Sequence, residues 1–199
     1  MTIQLNLWPM IAFAGVLLCW LAFAASFFVW KKPPSGEDRE RESKSILGIA
    51  LQGLAYALIW GIPRRYFTPM FPGFGKPFEI ALALLAIVLA AASVWFVAAS
   101  VRALGKQWSL TARLVVGHKL VTEGPYRFVR NPIYTGMFGM LIATGLAISH
   151  WIALPAAIFV FMTGTLIRVR SEEKLLREAF GQEFESYASR TPAVIPRPF

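Results

Sequence analysis

Arg168 and Glu172 stand four residues apart in "LIRVRSEEKLL" (166–176), so on a helix they share one face and can pair. An arginine at the edge of an apolar run is costly unless it snorkels or finds a partner. Held there, its planar fork could grip a carboxylate or a phosphate through two parallel hydrogen bonds. Arg170 and Lys174 would point elsewhere. A second concentration of chemistry lies upstream in "GPYRFVRNPIYTG" (124–136), which carries two arginines, two tyrosines and two prolines. Asn131 precedes Pro132, and a residue before proline is pushed out of the α region. Asn suits a helix N-cap and Pro the first helical position, so the dipeptide is expected to open a helix. The free N–H groups and positive dipole end of that helix would face an anionic or electron-rich group. "EGP" just upstream is a turn signal that would fold the loop back toward the same end. In "GHKLVTEG" (117–124), His118 is the one ring able to titrate near neutrality. On local chemistry alone each feature also has a plain structural reading: a snorkelling arginine with a surface pair, a rigid helix entrance, a hairpin.

The elements that must position these residues are membrane-like. The chain has 199 residues, of which 56% are hydrophobic and only 16% charged, and the apolar residues come in blocks. Leu7 to Trp30 and Ile80 to Val101 contain no charge at all. Each exceeds the roughly 20 helical residues that a bilayer core requires. A cleaved signal peptide would show a basic start and a shorter apolar core, so residues 7–30 are read as a span. A second span is expected from Ile46 to Ile62. Ile133 to Val169, broken by "SHW" at 149–151 and carrying Arg168 at its edge, is too long for one span and suits two antiparallel ones. Between the second and third spans, "PRRYFTPMFPGFGKPFE" is too rich in Pro and Gly for a continuous helix and aromatic enough for a membrane interface. The expectation is therefore an all-α, multi-pass transmembrane bundle of about five spans. It would form a single integral membrane domain over 1–199, with N-terminal spans in 1–101 and the chemistry in 102–199. Cys19, alone, is a small apolar filler and His150 an interfacial residue.

Charge sets the orientation. Segments 31–45, 102–132 and 168–199 hold 5, 6 and 6 basic residues, whereas the loop between spans two and three holds Arg64, Arg65 and Lys76 alone. By the positive-inside rule the N-terminus is outside, and the 102–132 loop and the C-terminal tail share the cytoplasmic face. The net charge of +9 is spread over these loops, a pattern for anionic membrane lipid. No concentrated basic domain points to nucleic acid. HExxH, CxxC, GxGxxG and Walker patterns are all missing, which leaves a metal hydrolase, a dinucleotide fold or a P-loop enzyme without support.

"HKLVTEGPYRFVRNPIY" (118–134), followed by "RVRSEE" (168–173) and "FGQEFESYASRTPAVIP" (180–196), resembles the isoprenylcysteine carboxyl methyltransferases and their phospholipid methyltransferase relatives. The resemblance covers roughly residues 102–196; the N-terminal spans match in hydropathy only. It implies an integral membrane enzyme that binds S-adenosylmethionine without a dinucleotide fold. Position by position, it implies that His118, Lys119, Leu120 and Val121 line the cofactor pocket, together with Tyr126. The family's Arg-His-Pro-x-Tyr element falls on Arg130, Asn131, Pro132, Ile133 and Tyr134. Of the two residues it marks as catalytic, Arg168 would address the substrate and Glu172 the methionine part of the cofactor. Asn131 stands where the family carries histidine; it can donate and accept hydrogen bonds but cannot titrate.

The methyl on a sulfonium is already activated, so the protein's task would be to align donor and acceptor. The implied partner is a lipidic or small hydrophobic acceptor reached from the membrane, with a carboxylate, amine or thiol to methylate and no metal. Two other classes stay open on the sequence: a sterol-type reductase using NADPH, whose C-terminal region has a related Arg-x-Pro-x-Tyr pattern, and a non-catalytic membrane scaffold.

Overall fold

The computed structural model describes residues 6–29, 38–41, 45–65, 67–105, 113–115 and 119–196. Helix α1 covers Leu7–Val29, α2 Ser45–Gly61, α3 Gly75–Leu104, α4 Pro132–Ile148, α5 Ala153–Phe180 and α6 Gln182–Arg190. A short antiparallel ribbon, β1 (Asp38–Arg41) with β2 (Arg113–Val115), is the one departure from helix of any regularity among these residues. The helical class expected from the apolar blocks holds, and the breaks fall where the sequence placed them. Proline at the first position opens α4, and the turn at 149–152 separates it from α5. The aromatic Pro/Gly segment differs in its last residues. A 3-10 turn at Pro72–Phe74 leads directly into α3, which begins at Gly75 with Pro77 inside its first turn, where a missing N–H costs nothing.

α1, the Pro72–Leu104 stretch and α5 are long and apolar enough to cross a membrane, and α2 and α4 are shorter apolar helices. Leu18, Leu21, Val88, Trp95 and Phe159 are each more than 60% exposed. Water would penalise such a surface, and hydrocarbon would not.

The two ends of the bundle are tied differently. At one end the β1–β2 ribbon joins the α1–α2 connection to the α3–α4 connection. At the other, Pro63 bridges Ser149, the Arg64 N–H donates to Ile148 O (3.0 Å) and the His150 N–H to Ile62 O (3.0 Å). Arg64 completes this second knot by donating to the carbonyls of Leu146, Ala147 and Ser149, the bare C-terminal end of α4. A cavity of about 610 Å³ opens beside it, lined by Arg64, Phe71, Phe74, His150 and Trp151 among others.

α4 is the central helix. On one side it meets α1 and α3 through Val16, Phe23, Ala90, Val97, Met140 and Ala143. On the other it meets α2 and α5 through Ala55, Ile59, Leu141, Ala157 and Phe161. Polar side chains reinforce both faces: Trp20 Nε1 donates to Thr144 Oγ1 (3.0 Å) and the Tyr56 hydroxyl to Met137 O (2.7 Å). In an apolar medium such hydrogen bonds tie helices together where hydrophobic burial gives little.

Candidate active site

The ribbon end of the bundle carries the charged cluster. Arg168 sits on α5, 4% exposed, deep enough that its charge must be matched by neighbours. Its Nη2 lies 3.7 Å from Glu172 Oε1, one helical turn on, as the spacing required. Its guanidinium carbon stands 4.8 Å from the centre of the Tyr134 ring, a cation–π contact. The Tyr134 hydroxyl donates to Glu172 Oε1. One tyrosine thus touches both members of the ion pair. Tyr126, buried in the 3-10 turn Gly124–Arg127, completes the group. Burial holds its phenol well above the ordinary value, and the nearby Glu172 carboxylate adds to that shift. Gly124 makes the turn possible: its φ of 61° is open to glycine at little cost. The "EGP" expectation is met there.

Behind this group lies a second layer centred on Arg130 and Glu173. Arg130 Nε donates to Glu173 Oε1 at 2.8 Å and Nη2 lies 2.7 Å from the same oxygen. Its Nη1 donates to Ala188 O (2.9 Å) and to Thr191 O. Arg177 extends the chain of charge, with Nη2 3.7 Å from Glu173 Oε2 and Nε 2.5 Å from Glu185 Oε1. The segment after α6 is strapped across the start of α4. The Arg130 N–H donates to Pro192 O (2.8 Å), the Asn131 N–H to Ala193 O (2.9 Å), and Thr135 Oγ1 to Val194 O (2.5 Å). Tyr187 pins α6 to the 3-10 turn by donating to Tyr126 O at 2.6 Å, and burial pushes its own phenol up to about 12.

The residues singled out in the sequence therefore separate into groups. Tyr126, Tyr134, Arg168 and Glu172 converge. Arg130 and Asn131 form the clamp on the C-terminal strap, and Pro132 is buried at the first position of α4. Asn131 occupies the N-cap position, yet its side chain makes no capping bond; Nδ2 donates instead to Ala193 O (3.1 Å). The α4 entrance expected to lie open to an anion is thus roofed by the chain's own residues. Ile133 packs toward the α1–α3–α4 core. Lys119 is exposed and Leu120 and Val121 are half-buried in the irregular stretch before the turn, while His118 lies outside the described residues.

Sequence reasoning missed Gln52, Thr165, Glu173 and Tyr187. Gln52, from α2, accepts from Arg168 Nη1 (3.1 Å) and donates through Nε2 to Thr165 Oγ1 (2.9 Å). A signal existed for Gln52, the one carboxamide inside the second apolar run, because polar groups at such depth demand partners. Glu173 gave none: beside Glu172 it reads as a generic surface charge until Arg130 is seen against it. Among the described residues, no three His, Cys, Asp or Glu side chains gather closely enough to hold a metal ion.

The chain is similar to known proteins over about half its length. Residues 81–183 match the family described as phospholipid methyltransferase. Protein-S-isoprenylcysteine O-methyltransferase B of Arabidopsis thaliana is 34% identical over 79 residues, covering 40% of this chain and 40% of that protein. The protein-S-isoprenylcysteine O-methyltransferase of Schizosaccharomyces pombe is 32% identical over 79 residues, 40% of this chain and 34% of its own. Similarity also reaches the nickel-cobalt-cadmium resistance protein NccN of Alcaligenes xylosoxydans xylosoxydans, 39% identical over 99 residues, 47% of this chain and 44% of that one. The matches span less than half the length of each of these relatives.

Proposed function

The chain belongs to the phospholipid methyltransferase family, and from that premise we propose that it transfers a methyl group from S-adenosylmethionine to an acceptor held in or at the membrane. The observation that carries the reading is the Arg168–Glu172–Tyr134 cluster, in which a buried arginine is paired with a half-buried glutamate at one end of an apolar bundle. Buried ionisable groups in an apolar bundle are expensive and mark function.

The donor set fits the two ligands such a reaction needs. The Glu172 carboxylate, steadied by Tyr134, suits the ammonium of an amino-acid group, and the aromatic face of Tyr126 suits a cationic centre. Arg168 suits an anionic group on the acceptor, such as a carboxylate or a phosphate. His118, Lys119, Leu120 and Val121 would contribute backbone and side-chain contacts to the cofactor. Arg130, Asn131, Pro132 and Ile133 would fix the entrance of α4, so that Tyr134 stands where it must. S-adenosylmethionine would supply the methyl: the acceptor lone pair forms the new bond to carbon as the carbon–sulfur bond breaks, leaving a neutral thioether. No protein nucleophile is required. The residues hold, orient and exclude water, and orientation alone accounts for large factors in rate.

A lipidic acceptor would enter sideways between helices, and the cofactor from the aqueous side. The positive-inside rule, applied to the basic loops and tail, favours the cytoplasm as that side, with five crossings and the N-terminus outside. The names of the isoprenylcysteine methyltransferase relatives favour an isoprenylated thioether acid as acceptor.

The experiment is to incubate the purified protein with methyl-labelled S-adenosylmethionine, a membrane lipid extract and, separately, N-acetyl-S-farnesylcysteine. Label in an organic-soluble product is expected. No transfer to either, with intact folded protein, would overturn the reading.

A further inference from the structure

We propose that Gln52, outside the matched family region 81–183, is a positioning residue for Arg168 and so makes the N-terminal half part of the site. Gln52 is 2% exposed in α2, a helix otherwise almost wholly apolar. A carboxamide at that depth is unfavourable unless each half is satisfied. Both halves are. Oε1 accepts from Arg168 Nη1 at 3.1 Å, and Nε2 donates to Thr165 Oγ1 at 2.9 Å. The hydroxyl of Thr165 thereby fixes which way the carboxamide faces, and the carboxamide fixes the guanidinium. With Tyr134 beneath and Glu172 beside it, Arg168 is held from three directions.

The helix crossing is built for this contact. Gly48 and Gln52 lie one turn apart on α2, facing Gly164 and Arg168, one turn apart on α5. A methyl at Gly48 would stand 2.7 Å from Gly164 O and would collide with the Arg168 side chain. A methyl at Gly164 would stand 2.8 Å from Gly48 O and 3.1 Å from Gln52 N. Small residues at both positions let the backbones approach until a side chain as short as Gln52 reaches the guanidinium. The inference rests on the reading of Arg168 as the group that addresses the acceptor. On that reading, Gln52 sets the angle at which the arginine meets the acceptor's anionic group and leaves cofactor binding alone.

The test uses the full-length protein in detergent, with Gln52→Leu, Gln52→Glu and Thr165→Val. Three readouts are taken: S-adenosylhomocysteine affinity, steady-state kinetics with N-acetyl-S-farnesylcysteine, and the ¹⁵N side-chain resonances of Arg168, assigned by Arg168→Lys. All three variants should keep the affinity within about twofold of wild type. Gln52→Leu should free the guanidinium and lower kcat/KM for the acceptor roughly tenfold to hundredfold, as small misplacements at reacting centres do. Gln52→Glu should hold the guanidinium still but raise KM for the acceptor, because its carboxylate competes for the arginine. Thr165→Val should shift the same parameters in the direction of Gln52→Leu, by less. The inference is overturned if Gln52→Leu leaves Arg168 as restrained as wild type, or turns over like wild type. Should Gln52→Leu fail to fold, wild-type kinetics in both other variants overturn it. If wild type itself transfers no methyl, the role assigned to Gln52 falls with the reaction; loss of restraint in Gln52→Leu then locates the error in the reaction and not in the contact.

Discussion

Tyr134 holds both charges of the site, its ring under Arg168 and its hydroxyl on Glu172. Tyr134→Phe keeps the ring and removes the second contact. It should lower turnover roughly tenfold while costing about 1.5–3 kcal/mol of stability, the net worth of a hydrogen bond to a charged group; kinetics and thermal unfolding in detergent check this. Tyr187 offers a pH signature. Its phenol is raised from 10.0 to about 12, chiefly by burial, so the fold favours the neutral form. Its contribution is complete below pH 10 and lost as pH rises through about 12, since the unfolded phenol ionises first. Wild type should therefore melt higher than Tyr187→Phe at neutral pH, and the gap should close between those two values. A gap constant with pH would contradict the burial of that hydroxyl. Residue identity was legible in the sequence where spacing decided it, as with Arg168 and Glu172. At Asn131 the N-cap position was legible but the side-chain bond was not, because the carboxamide turns to Ala193 O. The reason is physical: the competing acceptor arrives from 62 residues away, and no local pattern records it.

At the scale of elements, the site depends on two contacts between distant segments. One is the α2–α5 crossing at Gly48 and Gly164. Gly48→Ala should destabilise by about 1–3 kcal/mol, the usual cost of overpacking, and should displace Arg168. A lowered melting temperature together with weakened acceptor turnover would bear this out. The other is the strap after α6, which supplies carbonyls to Arg130, Asn131 and Thr135. Ending the chain after Arg190 removes those acceptors and should release the start of α4, with S-adenosylhomocysteine binding weakened. Helix starts and stops were readable because proline, glycine and charge mark them locally. The crossing was not, since a glycine in an apolar helix announces close approach only once its partner helix is known. The early start of α3 at Gly75 was hidden because Pro77 reads as a breaker, although within a first turn it breaks nothing.

For the whole molecule, the two knots at opposite ends predict sidedness. In a Cys19→Ala background, a membrane-impermeant maleimide should reach Lys76→Cys from one side of the membrane only. It should reach Glu178→Cys from the other side only, the cytoplasmic one. Labelling of both from one side would contradict five crossings. The apolar blocks made the helical bundle legible from the sequence; the ribbon tying the two loops was not, its strands being too short and too charged to stand out. On the proposed function, the cluster at the ribbon end binds the methyl donor through Glu172. The most direct measurement is calorimetric titration of the purified protein and of Glu172→Gln with S-adenosylhomocysteine, and of the same proteins with NADPH. Micromolar binding of S-adenosylhomocysteine by wild type, weakened about tenfold or more in Glu172→Gln, with no NADPH binding, is the expected result. NADPH binding without S-adenosylhomocysteine binding, or equal affinity in the two proteins, would contradict it.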